Sequence, residues 1–327
     1  MKGMDIQAAG HGQTELTEDT VDRDAVSRRS RPLIGRRPAE TVPVAERAPS
    51  TAAYRMSAAL SVVTVVAAST SFFIPGILGG PAVAQGNLRG TALVLMVVAV
   101  PLLLVSMYFT SRHSARALVA WLGAVAYINY QAVLFLFATP FNGLFLLYVA
   151  MLSLGFWTTV VLLRQLDLAG FSARFDARLP ARGIAVYALV LAAANAAVWL
   201  KTIVPATVSD SPSAFLKGSG VTTNPVFVQD LAFWLPLLVL SAWGLWKRQQ
   251  LGQLLVGAML VLLVLESIGV ATDQWFGAMA DPGTPFASMA AVPAFSALAL
   301  VGMVPLFFYL RHLDAADERA PAPMSVS

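Results

Sequence analysis

The sequence predicts an all-α fold, a polytopic transmembrane helical bundle of about eight spans with both termini in the cytoplasm. Three observations carry this. Of 327 residues, 57% are hydrophobic and only 12% charged. A soluble domain carries roughly 25% charged residues, so too few remain here to cover a water-facing surface. The charges are also clumped, many in the first 55 residues and most others in short runs between apolar stretches. Lipid is the solvent that tolerates such a distribution. Finally, eight stretches are apolar over the roughly 20 residues that a helix needs to cross hydrocarbon.

In chain order, residues 1–54 are polar, rich in Arg, Asp, Glu, Thr and Pro, and lack apolar periodicity. They read as a disordered cytoplasmic tail. No apolar segment begins near Met1, so no signal peptide is expected. Met56 opens the first apolar span and is a second candidate start. Arg28, Arg29, Arg31, Arg36, Arg37 and Arg47 suit anionic headgroups, although a solvated tail is the simpler reading. The helical domain covers 55–312. Its expected spans are 57–79, 90–110, 117–138, 143–163, 183–204, 227–246, 252–272 and 289–310. The first is the weakest, since it ends in Pro75, Gly76, Gly79 and Gly80. Residues 313–327 read as a short disordered tail.

Orientation follows from the loops. Arg112 and Arg116, then Arg164, Arg174, Arg178 and Arg182, then Lys247 and Arg248 share one side if there are eight spans, with Arg55 before the first and Arg311 after the last. The opposite side holds Arg89, Lys217, Asp210, Asp273 and Asp281. The positive-inside rule puts the arginine-rich side in the cytoplasm and the chain in the plasma or inner membrane. Trp199, Trp234, Trp275, Trp243 and Trp246 fall near span ends, where an amphipathic indole is most stable. In the loop 164–182, Leu166, Phe171, Phe175 and Leu179 among charges suit a short interfacial helix. The outer loop 205–226 is rich in Ser, Thr, Pro and Gly and should be irregular.

Span 2 contains PLLLVS at 101–106 and span 6 contains PLLVLS at 236–241, an offset of 135 residues. That is close to half of the membrane region. Two parallel four-span repeats would produce it. Chance would too, because Leu-rich strings recur in apolar helices. At this offset Gln131 maps onto Glu266.

Polar side chains in hydrocarbon cost several kcal/mol unless paired or facing a cavity, so they are site candidates. Asn129 and Gln131 lie in span 3, Asn195 and Lys201 in span 5, Asp230 in span 6 and Glu266 in span 7. By the expected topology all six fall in the middle-to-outer half of the bilayer. Glu266, among Val264, Leu265, Ile268 and Val270, is the hardest to hydrate, so it is neutral or paired. Lys201 would neutralise Asp230 or Glu266, or snorkel to headgroups. Asp230 would serve a site or complement its helix dipole. The amides more often tie helices together than touch ligands.

The negative evidence is broad. There is no cysteine, and the three histidines, His11, His113 and His312, fall outside the spans. No metal, haem or thiolate chemistry is expected from them. No Walker A element, Gly-x-Ser-Gly element or Asp-rich pair for Mg²⁺ occurs. No catalytic residue or cofactor is assigned, and the reading leans away from an enzyme. The basic residues flank apolar helices, which argues for lipid rather than nucleic acid as their partner.

The segments TTNPVFVQDLAFWLP (222–236) and YINYQAVLFLFATPFNGLFLLYVAMLSL (127–154) resemble a recurring set of uncharacterised bacterial multi-spanning membrane proteins. In these, an outer Thr-Asn-Pro element leads into a helix with an acidic residue, matched here by Thr223, Asn224, Pro225 and Asp230. The resemblance implies the topology and marks Asn224 to Asp230 as its signature; it implies no activity. The expected function is small-solute or proton-coupled transport or binding at an outward-facing cavity bounded by Asn224, Asp230, Lys201 and Glu266. The alternative is a non-catalytic scaffold or sensor subunit.

Overall fold

The computed structural model describes residues 49–314, and the chain over this range is a bundle of eight helices long and apolar enough to span a membrane. They are α1 (Thr51–Phe73), α2 (Ala82–Thr110), α3 (Ala115–Phe137), α4 (Phe145–Gln165), α6 (Ala181–Thr207), α7 (Pro225–Trp246), α8 (Gln250–Ala280) and α9 (Ala291–Arg311). A short α5 (Leu168–Ala173) lies between α4 and α6. Residues 1–48 and 315–327, including the tail arginines and most of both expected tails, lie outside the described range.

Two boundaries depart from expectation for local reasons. Helix α1 begins at Thr51, inside the expected tail. Ser50 caps it, accepting from the Ala53 amide, and the Ser50 amide donates to Gln165 at 2.8 Å. A capping serine fixes a helix start before the apolar run itself begins. Helix α8 runs on to Ala280, eight residues past the expected end. Nothing between Asp273 and Ala280 breaks a helix; the first proline is Pro282. Asp273, expected in an outer loop, is therefore inside a span.

Helix α8 is the centre of the bundle and packs against α2, α3, α7 and α9. Its approach to α2 depends on two glycines one turn apart. A Cβ on Gly86 would stand 2.5 Å from the Phe276 carbonyl, and one on Gly90 2.8 Å from the backbone of Thr272 and Asp273. Small residues at this spacing let backbones touch, and in lipid such packing supplies much of the association energy. Helices α6 and α9 sit at the periphery. Their exposed Val190, Val198, Leu300 and Phe307 suit acyl chains.

At the arginine-rich end, α5 and the loop after it are strapped to the bundle. Asp167 caps α5, and Ser172 hydrogen-bonds Gln253 of α8. Phe175 pairs with Leu313 as an isolated β-bridge. Phe171 and Leu179 are buried in the main core cluster. The apolar face expected to lie on lipid therefore packs on protein, because the exposed end of α8 and Tyr309 offer a surface it fills. The opposite loop, 208–224, is irregular apart from a 3₁₀ turn at Ala214–Leu216.

The offset of 135 residues recurs in the backbone. A π-turn at Leu95–Ala99 precedes Pro101, and another at Asp230–Trp234 precedes Pro236. A wider turn accommodates the carbonyl that a proline leaves unbonded. Helix α3 starts at Ala115 and α8 at Gln250. Between the paired helices, His113 and Arg248 both take positive φ, 64° and 54°. Arg112 stacks over Tyr108 at 5.0 Å, and Lys247 over Trp243 at 4.9 Å. Each of these positions is displaced by the same interval. Chance repetition of a Leu-rich string does not reproduce a π-turn, a left-handed residue and a cation–π pair in register. The bundle is built from two four-helix halves, α1–α4 and α6–α9, that run in parallel.

Candidate functional site

The two halves meet where α8 packs against α2 and α3, and several polar residues of the interior lie there. On α3, Tyr127, Tyr130 and Gln131 fall at i, i+3 and i+4 and so share one face. All three are buried, with Tyr127 at 0% and Gln131 at 1% exposure. On α8, Glu266, Gly269 and Asp273 share a face by the same spacing, and the two carboxyls are two turns apart, roughly 10 Å along the axis.

These faces engage at two points, and α2 adds a third contact to α8. The Gln131 Nε2 donates to Glu266 Oε2 at 2.7 Å. Tyr127 lays its hydroxyl against Gly269; a Cβ there would be 2.6 Å from the oxygen. Thr91 of α2 donates to Asp273 Oδ1 at 3.0 Å. The Tyr127 hydroxyl and the Gln131 carbonyl oxygen are buried with no hydrogen-bond partner. Glu266 and Asp273 are themselves only half-buried, so the site is not sealed.

A second cluster flanks the first on α7. Asp230 is 5% exposed and accepts from the Trp199 indole at 2.8 Å and, more distantly, from Asn195 at 3.5 Å. The Tyr130 hydroxyl of α3 also faces Asp230, which links the two clusters. Asp230 lies in the π-turn, where the extra residue per turn re-aims a side chain.

Four of the seven sequence candidates thus lie in or beside the α3–α8 interface, though not all in one pocket. Gln131 bonds Glu266, and Asn195 faces Asp230. Asn129 is on the other side of α3, packed over Gly155 of α4. Asn224 caps α7, accepting from the Val226 amide at 2.9 Å. Lys201 is exposed on the periphery and forms no ion pair with either acid among the described residues, so it does not neutralise them. Its place near the end of α6 puts it within reach of headgroups. Arg89 is committed elsewhere, donating twice to the Phe72 carbonyl at the end of α1.

Sequence reading missed Asp273, Thr91 and Tyr127. The visible signal was Gly86-x-x-x-Gly90, which brings α2 against α8 beside Asp273. No family model, curated protein or solved structure matches this chain. The chemistry therefore rests on the residues alone.

That chemistry is acidic, with no counter-cation among the described residues. Every partner found for Asp230, Glu266 and Asp273 is a neutral donor: an amide, an indole, a hydroxyl. An ionised carboxyl in hydrocarbon costs several kcal/mol unless paired. No compact set of three metal-ligating side chains exists among the described residues.

Proposed function

We propose that this chain is a transport or binding protein for a small solute, coupled to proton uptake at Glu266, and that it works at the interface between its two four-helix halves. The observation that carries this reading is the Gln131–Glu266 hydrogen bond. It joins equivalent positions of the two halves, so relative motion of the halves acts directly on the most deeply placed acid. Binding at a repeat interface near mid-membrane, with one repeat moving against the other, is the general arrangement of repeat-built transporters. Asp230 and Asp273 flank Glu266 and give a proton further stations. We place the arginine-rich end in the cytoplasm and the chain in the plasma or inner membrane.

The test is reconstitution into proteoliposomes with an internal pH reporter and a panel of amino acids, carboxylic acids, amines and sugars. At least one solute should drive proton movement. Glu266→Gln should abolish that response while leaving the melting temperature near wild type. A wild-type protein inert to the whole panel, or a Glu266→Gln variant that moves protons as wild type does, would overturn the reading.

A non-catalytic scaffold or sensor is the second reading, favoured by one fact: Asn224 and the Thr91–Asp273 pair serve helix capping and helix–helix contact. It expects no solute to raise the melting temperature, whereas a bound solute raises it by mass action.

A further inference from the structure

At the arginine-rich end of the second half, a cavity lies where α6 begins and α7 ends. Its lining includes Leu179, Arg182, Gly183, Trp246, Lys247 and Arg248. Three cations from two helices converge on it, and none pairs with a carboxylate among the described residues. Helix α6 starts there with Pro180 at its cap and no capping side chain. The Ala181 amide donates back to the Leu179 carbonyl at 2.7 Å; the next two, of Arg182 and Gly183, have no partner within the helix and carry partial positive charge. Gly183 borders this space and is exposed, and a Cβ there would meet nothing within 4 Å.

Two more features select the class of anion. Lys247 stands over the Trp243 ring at 4.9 Å, and Trp243 is 53% exposed. Indoles in that position mark the headgroup level. Beyond the cavity, along the packed pair α6 and α7, Val186, Val190 and Leu240 are exposed and apolar. A ligand with a phosphate at one end and hydrocarbon at the other fits both parts at once. Basic pockets between transmembrane helices bind such headgroups.

We infer that this cavity binds the phosphate headgroup of an anionic phospholipid, held by the side chains of Arg182, Lys247 and Arg248 and the amides of Arg182 and Gly183, with the acyl chains along α6 and α7. The inference is independent of any transport activity.

The experiment is native mass spectrometry of the full chain, purified and offered equal phosphatidylglycerol and phosphatidylcholine. Wild type should retain phosphatidylglycerol at least about tenfold over phosphatidylcholine, since each basic residue near the surface attracts an anionic headgroup. The triple variant Arg182→Gln, Lys247→Gln, Arg248→Gln should lose that preference. Gly183→Leu, which puts a side chain into this space and keeps every charge, should lose it too; it decides the matter if the triple variant does not fold. Melting temperatures in phosphatidylcholine alone establish folding. Wild-type preference in Gly183→Leu or in a folded triple variant would overturn the inference. So would full displacement of phosphatidylglycerol by millimolar inorganic phosphate, which would assign the site to a soluble anion.

Discussion

Gln131 and Glu266 are bonded to each other and are also each other's counterparts. The amide Nε2 donates to the carboxyl Oε2 at 2.7 Å across an interval of 135 residues, the interval that relates the two π-turns and the two left-handed residues. An axis between parallel halves brings equivalent positions face to face, and α3 and α8 are the helices that line it. Gly123 repeats the pattern lower on the same pair of helices, resting on the carbonyl of Ala258.

Breaking this bond from one side should cost more than breaking it from both. Gln131→Leu leaves the Glu266 carboxyl without its donor and should destabilise by about 1–2 kcal/mol. Glu266→Gln keeps an acceptor of the same shape and should stay within about 1 kcal/mol of wild type. The pair Gln131→Leu with Glu266→Leu should recover part of the single loss. Equilibrium unfolding in mixed micelles measures all three together with the Glu266→Leu single variant that closes the cycle. Strict additivity in that cycle would show that the two side chains are not coupled.

Gly269 is the narrowest point of the site. Its missing Cβ is what admits the Tyr127 hydroxyl, which would be 2.6 Å away. Gly269→Ala should destabilise by about 1–3 kcal/mol through overpacking, despite the better helix propensity of alanine. Tyr127→Phe removes the crowding oxygen, which has no partner to lose. The double variant should therefore melt above Gly269→Ala alone. A Gly269→Ala protein as stable as wild type would mean that the hydroxyl is free to swing away.

How much of this was legible before the fold was known depends on the residue. The spans were, because hydrocarbon demands long apolar runs and nothing else in a sequence mimics them. The duplication was visible only as PLLLVS against PLLVLS, since lipid-facing positions tolerate any apolar residue and the two halves retain little common sequence. Its firm marks are backbone events at Leu95 and Asp230, which carry no residue code. Glu266 and Gln131 were readable as expensive groups in lipid. Their pairing was not, since hydropathy fixes depth along a helix and says little of rotation about it. The same blindness hid Asn129's turn toward α4 and Lys201's turn outward. Asp273 was lost to a boundary drawn where average span length ends.

Lys201 offers a direct check on that rotation. The side chain is exposed and unpaired with either acid, so Lys201→Gln should change stability by less than about 0.5 kcal/mol. Were it the counter-ion of Asp230 or Glu266, removal would strand a buried charge and cost several kcal/mol. Thermal melts of Lys201→Gln beside Trp199→Phe separate the cases. Trp199 donates to Asp230 at 2.8 Å, and its replacement should be the more damaging of the two.

Asp314 closes the arginine-rich end, and its contribution can be dissected by choice of substituent. One oxygen accepts from the Ala115 and Arg116 amides at 3.1 and 3.3 Å, capping α3 from outside its own sequence. The other meets Arg174 Nε at 2.7 Å, a charge contact rather than an aligned hydrogen bond. Arg174 in turn donates to the His113 carbonyl. One carboxylate therefore joins the start of α3, the end of α9 and the loop after α5. A negative group at a helix start is favoured by the dipole, and such caps are worth about 0.5–2 kcal/mol. Asp314 also sits at φ 65°, which asparagine and glycine tolerate and alanine does not. Asp314→Asn should therefore keep the cap and lose only the charge, a loss of about 1 kcal/mol or less. Asp314→Gly should lose cap and charge without backbone strain, about 1–3 kcal/mol. Asp314→Ala should be the least stable of the three because strain is added. Asp210→Ala, in an exposed loop at the other end, is the control and should be neutral. Melting temperatures in one detergent give the ranking, and limited proteolysis of 166–180 reports whether the strap has opened. If Asp314→Gly melts with the control and that loop stays resistant, the carboxylate does not hold this end together.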